Sequence, residues 1–172
     1  MKVLFTANIP SPYRIEFFNE LSKYCELTVL FERNDAKDRN NEWLSNREIT
    51  FEMKYLKGIK VGNETAFCPE ILKYLKKKKY DIIVIGGYST PTGMYAIQYL
   101  KNHKVNFILN CDGGIIKNDS KIKYKIKKHF ISSATKWISS GNKASEYLEY
   151  YGAKRSDIYE YPFTSIREKD II

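Results

Sequence analysis

Residues 81–87 read Asp-Ile-Ile-Val-Ile-Gly-Gly, a continuous apolar run with turn residues at both ends. A strand with one wet face alternates polar and apolar side chains. A short run without alternation belongs to a strand covered on both faces, and that is the environment of a parallel sheet with helices above and below it. This requirement narrows the chain to α/β architectures.

The flanking sequence supplies the other units. Lys2–Ala7 is a β-rich run, followed by Ser11 as a cap and Pro12 as a first-turn proline, then by Ile15, Phe18 and Leu21 at helical spacing. Glu26–Phe31 (ELTVLF) is a second strand, and the polar stretch Glu32–Arg47 reads as a long loop or a loosely held short helix. Ile49–Tyr55 is a candidate third strand. Pro69 opens a helix carrying Ile71, Leu72 and Leu75, and the cations of Lys76–Lys79 suit the exposed carbonyls at its end. After the central strand, Tyr88-Ser89-Thr90-Pro91 turns into a helix reaching about Leu100, and Val105–Cys111 (VNFILNC) is a strand ending at Asp112-Gly113-Gly114. A lysine-rich segment, a short strand near Trp137–Ser139, a helix from Lys143 to Tyr151 stopped by Gly152, and a strand Ile158–Tyr161 complete the pattern.

These units predict one doubly wound, Rossmann-like parallel α/β domain over residues 1–162; a chain of 172 residues with 43% apolar content can bury such a core. Ligands of such sheets sit beyond the carboxyl ends of the strands. The turn residues Asn8, Pro10, Ser11 and Tyr13, then Gly86, Gly87, Tyr88 and Ser89, then Asp112, Gly113 and Gly114 should therefore share one edge. Prolines stiffen the first turn and leave the N–H groups of the following helix facing the crevice, where a sugar hydroxyl or a carboxylate can bind.

Several function classes fail on the sequence. Neither GxGxxG nor GxxxxGK[ST] occurs, so the dinucleotide and nucleoside-triphosphate loops are excluded. A receiver domain would place acidic residues where Asn8 and Ile9 stand. The three cysteines, Cys25, Cys68 and Cys111, have no CxxC spacing and read as buried or half-buried reduced thiols of a cytoplasmic protein. His103 and His129 are isolated, and no metal site is expected. No signal peptide or membrane span is visible, and a soluble protein is expected.

Net charge is +9, and residues 117–128 concentrate it: six lysines stand against Asp119. A helix is expected there, because the chain needs a crossover, and it places Ile122, Ile126 and Phe130 on one stripe with lysines beside it. The segment reads either as a solvated basic face or as a surface for anionic lipid formed by Lys121, Lys123, Lys125, Lys127 and Lys128. A basic nucleic-acid-binding domain, or a non-catalytic partner module, is the alternative class. Nucleic acid ranks low, since the segment has no arginine and a single tyrosine.

The pieces NIPSPYRIEFFNEL, DIIVIGGYS, DGG and SSGNKASEYLEYYGAKRSDIYEYPF, in this order and spacing over essentially the whole chain, resemble the N-terminal half of a family-4 glycosyltransferase of the GT-B fold. The closing PFTSIREKD resembles the start of the linker to a second domain, so residues 163–172 are expected to be linker and the donor-binding domain to be absent from this chain. The resemblance implies a retaining, metal-independent enzyme that takes a nucleotide-sugar donor, uses no cofactor and stabilises the leaving diphosphate electrostatically from the second domain. The domain read here would orient a glycan or lipid-linked acceptor, with Asp112 as hydrogen-bond acceptor or catalytic base, and would be inactive alone. Polysaccharide biosynthesis at the inner face of a membrane is the implied setting. Prolines stand where some relatives have glycines, which argues against phosphate contact by the first loop.

Overall fold

The computed structural model describes residues 1–34, 48–61, 65–76 and 79–161. In chain order the elements are β1 (Lys2–Ala7), α1 (Pro12–Ser22), β2 (Glu26–Phe31), β3 (Glu52–Tyr55), β4 (Ile59–Val61), β5 (Thr65–Phe67), α2 (Ile71–Leu75), β6 (Ile82–Ile85), α3 (Pro91–Asn102), β7 (Ile108–Cys111), α4 (Lys121–Ile131), β8 (Lys136–Ser139), α5 (Asn142–Tyr150) and β9 (Ile158–Glu160). Seven strands form a parallel sheet in the order β3-β2-β1-β6-β7-β8-β9, while β4 and β5 make a separate antiparallel hairpin. The chain winds outward one way from β1 and the other way from β6, so the topological switch point lies between these two strands. This is the doubly wound, Rossmann-like α/β architecture the sequence predicted.

Alternation along the strands divides the core in two. Leu4, Leu30, Ile83, Ile85, Leu109 and Trp137 pack with Ile97 and Leu100 of α3, Ile131 of α4 and Leu148 of α5. Val3, Phe5, Leu27, Val29, Phe31 and Val84 pack with Ile15 and Phe18 of α1. The central run therefore sends side chains into both clusters, which is why it carries no polar residue. Phe18 is fully buried and meets the rings of Phe5, Phe51 and Phe31 edge-on at 5.0, 5.5 and 6.0 Å. Truncating a side chain held in this way costs about 3–5 kcal/mol.

Two strands start later than the sequence reading placed them, and one cap works differently, each for a hydrogen-bonding reason. β3 starts at Glu52 rather than Ile49, because the Thr50 N–H donates to Asn19 Oδ1 (3.0 Å) instead of a neighbouring strand. β7 starts at Ile108 rather than Val105, because the Val105 N–H closes the end of α3 on Leu100 O (2.9 Å). Ser11 occupies the N-cap position of α1, but its hydroxyl makes no capping bond; the Arg14 N–H is taken by the Ser11 carbonyl (2.9 Å). The β4–β5 hairpin was not foreseen. Most of the Glu32–Arg47 stretch, Lys77 and Lys78, and the linker expected at 163–172 lie outside the described residues.

Candidate functional site

Strands β1, β6 and β7 are consecutive neighbours and parallel, so the segments leaving their carboxyl ends, 8–13, 86–89 and 112–114, emerge side by side. The second is anchored to the end of β1, since the Gly86 N–H donates to Thr6 Oγ1 (3.0 Å). A Cβ on Gly86 would stand 1.9 Å from Thr6 O, so strand packing alone demands glycine there. Gly114 is held similarly by the Tyr147 ring, 2.5 Å from where its Cβ would be. Gly87 and Gly113 have nothing within 4 Å of that position and open onto the edge.

The third segment is tied to the first by an ion pair. Arg14, in the first turn of α1, joins its guanidinium to Asp112 Oδ2. Asp112 Oδ1 accepts from Asn110 Nδ2 (2.8 Å), and the Tyr161 hydroxyl lies 3.2 Å from it and 3.0 Å from Asn110 Oδ1. Arg14 is 6% exposed, and burial draws its pKa below the usual arginine value. A buried cation needs a partner, and Asp112 supplies it from the rim. Arg14 reads from sequence as a surface or helix-packing residue. The available signal was its position four before Phe18, on the buried stripe of α1.

Asn8 and Tyr13 are half-buried, Pro10 and Ser11 buried. The Ser11 hydroxyl has no hydrogen-bond partner among the described residues. It sits at the positive end of an eleven-residue helix, facing the same edge of the sheet as Arg14 and Asp112.

Tyr88 and Ser89 lead to a polar-aromatic network. Tyr88 and Tyr147 share a hydroxyl–hydroxyl hydrogen bond, and burial followed by that bond pushes Tyr88 well above the ordinary tyrosine pKa. Lys127 Nζ binds Asp119 (2.8 Å) and Tyr151 Oη (3.2 Å) and lies over the Tyr151 and Tyr147 rings at 4.9 and 5.4 Å. Tyr151 also donates to Asp119. The bonds from Lys127 and then Tyr151 hold the Asp119 carboxyl at about 2. Burial pulls the Lys127 amine down, but its bonds to Asp119 and the two tyrosines outweigh that and leave it above the lysine range. Lys127 is thus a structural strut with 16% of its side chain exposed, unlike Lys121, Lys123, Lys125 and Lys128, which are exposed. Between this network and α4 runs a groove of about 430 Å³, lined by Tyr88, Ser89 and Met94 on one side and Ile122, Lys123 and Ile126 on the other.

One further acidic group escaped the sequence reading, since it fell in a stretch taken as loop. Glu32, just beyond β2, is buried and accepts from the Ala66 N–H (3.1 Å) and the Thr90 hydroxyl (2.5 Å). Thr90 in turn caps α3 by accepting from the Gly93 N–H (2.9 Å). Burial raises the Glu32 pKa, against the pull of Thr90, Ala66 and Thr92. Cys68 and Cys111 are buried and Cys25 half-buried, as expected. Among the described residues, no group of three or more His, Cys, Asp or Glu is placed to hold a metal ion, and no helix is long and apolar enough to cross a membrane.

No family model and no curated protein sequence matches the chain. Among solved structures it is similar to Anabaena HepE in complex with UDP-glucose, with TM-score 0.62 at 13% identity, and to the same protein with UDP, with TM-score 0.62 at 12%. It is also similar to UDP-N-acetylglucosamine 2-epimerase from Rickettsia bellii, with TM-score 0.57 at 14% identity. Each alignment covers 93% of this chain; it spans 43% of HepE and 44% of the epimerase. At such identities the likeness is one of fold: the chain has the Rossmann-like fold of one half of a GT-B protein.

Proposed function

We propose that the chain is the acceptor-side lobe of a nucleotide-sugar-dependent glycosyltransferase, of the retaining family-4 type that its motifs resemble. The observation that carries this reading is the gathering of segments 8–13, 86–89 and 112–114 at a single switch-point edge, tied there by the Arg14–Asp112 pair. An acceptor hydroxyl would donate to Asp112, whose charge Arg14 balances, with the N-terminus of α1 close by. Electrostatic stabilisation of the departing diphosphate belongs on this reading to a second lobe, and the present chain by itself transfers no sugar. The binding of UDP-glucose by HepE supports nucleotide-sugar chemistry for the fold.

The test is a titration of isotope-labelled protein with neutral glycans, UDP and UDP-glucose, read as amide shifts, run beside a transfer assay. Glycans should perturb residues 8–13, 86–89 and 112–114, and transfer should be nil. Sugar transfer with this polypeptide as the sole protein, or shifts confined to other faces, would overturn the proposal. The similarity to an epimerase favours a second reading, a lobe serving UDP-sugar epimerisation. In that case UDP-sugars perturb the edge and neutral glycans leave it unchanged.

A further inference from the structure

Tyr161 follows β9, the edge strand, whereas Asp112 follows β7, two strands away in the order β7-β8-β9. Neighbouring strands lie about 4.8 Å apart, so the gap to be crossed over the end of β8 is roughly 10 Å. Only a long side chain reaches. The Tyr161 N–H donates to Ser139 O (2.9 Å), which extends the pairing of β9 with β8 and fixes the backbone from which the phenol starts. Its ring lies 5.5 Å from that of Phe17 on α1, and its hydroxyl stands 3.0 Å from Asn110 Oδ1 and 3.2 Å from Asp112 Oδ1. Burial raises the Tyr161 pKa, while the charge of Arg14 draws it down.

A carboxylate has about four acceptor positions, two at each oxygen. At Asp112, Oδ1 receives Asn110 Nδ2 (2.8 Å) and faces the Tyr161 hydroxyl, while Arg14 meets Oδ2. Asn110 is 1% exposed, and reversing its amide would set oxygen against the carboxylate. Ser140 fixes the backbone by donating to Asp112 O (2.8 Å). An arginine–carboxylate pair left to itself favours the bidentate form, with both oxygens on the guanidinium. The χ2 torsion of aspartate is soft enough to permit that turn. With Oδ1 engaged by Asn110 and Tyr161 the turn is blocked, and one acceptor position of Oδ2 is left over on a side chain that is 37% exposed.

We propose that Tyr161 is a positioning residue for Asp112: together with Asn110 it pins Oδ1, keeps Arg14 from closing on both oxygens, and so reserves Oδ2 for the hydroxyl of a ligand. That this hydroxyl belongs to a glycan rests on the acceptor-lobe reading; the pinning of the carboxylate does not depend on it. A phenol suits the task. Phenylalanine would keep the ring against Phe17 and lose the donor, and serine would fall short across β8.

Two variants of the full chain test this. Tyr161→Phe removes the hydroxyl alone: its crystal structure should show the Asp112 carboxylate turned so that Arg14 meets both oxygens, and affinity for neutral glycans should fall about fivefold, the worth of one hydrogen bond. Asp112→Asn is read by NMR titration of isotope-labelled tyrosine. The Tyr161 hydroxyl should there titrate at lower pH than in the unaltered chain, because the negative charge facing the phenolate is gone and the Arg14 charge is no longer shared. A merely structural tyrosine would lower stability when changed and leave that titration where it was. An unturned carboxylate or undiminished glycan binding in Tyr161→Phe, or a Tyr161 titration indifferent to Asp112→Asn, would overturn the proposal. If no glycan binds the unaltered chain, the acceptor-lobe reading falls, and the carboxylate orientation and the titration still decide the role of Tyr161. If Tyr161→Phe does not fold, the titration in Asp112→Asn decides it alone.

Discussion

At the residue scale, the Arg14–Asp112 pair sets the character of the cleft. Asp112→Asn keeps the shape and removes the charge, leaving the buried guanidinium with a weaker partner. The loss should be about 2–4 kcal/mol in urea unfolding, below the 3–5 kcal/mol of a fully buried pair because the carboxylate is partly hydrated. The glycines separate packing from function. Gly86→Ala drives a methyl group into the Thr6 carbonyl and should cost about 1–3 kcal/mol, whereas Gly87→Ala meets open space and should stay within about 0.5 kcal/mol. A glycan titration altered by Gly87→Ala at unchanged stability would therefore report cleft lining directly. Asp119 gives a pH signature. Its carboxyl sits at about 2 in the folded chain against an ordinary 3.8, so the stability it contributes is complete above pH 4 and is lost as pH falls through 2. Asp119→Asn should flatten the acid limb of the unfolding curve in that window, and an unchanged limb would remove Asp119 from the account.

At the scale of elements, the β4–β5 hairpin is held to the sheet by Glu32. Glu32→Ala would leave the Ala66 N–H and the Thr90 hydroxyl without their acceptor, a cost of about 1–3 kcal/mol for a buried unsatisfied group. Hydrogen exchange should then rise at Ala66 ahead of Leu4 or Val84; equal protection in both proteins would sink this. The hairpin is also where the sequence was least legible. Ile59-Lys60-Val61 and Thr65-Ala66-Phe67 are three-residue strands, too short for any period to show, and Phe67 finds its partner in Tyr95 of α3 through tertiary contact (5.4 Å). The long parallel strands were legible because burial on both faces suppresses polar residues, and α1 and α3 because proline marks their first turns. The site divides in the same way. Asp112 announced itself at a strand end before two glycines, while the charge that answers it lies in another crossover, a pairing that no local pattern encodes. The isoleucine stripe of α4 was visible, but a helix wheel does not say which side meets the sheet.

For the whole molecule, the position of β1 matters most. It is the first strand in sequence and lies near the middle of the sheet, between β2 and β6, with Val3 beside both Leu27 and Ile82. During synthesis one of its edges is matched as soon as residues 26–31 leave the ribosome, and the other stays open until residues 82–85 follow. At roughly 5–20 residues per second that interval is a few seconds, during which a bare apolar strand edge is exposed to every nascent chain nearby. The nascent polypeptide is thus at its most adhesive between the emergence of β2 and that of β6, and ribosome-bound chaperones should crosslink to stalled chains ending near residue 70 far more than to those ending past residue 120.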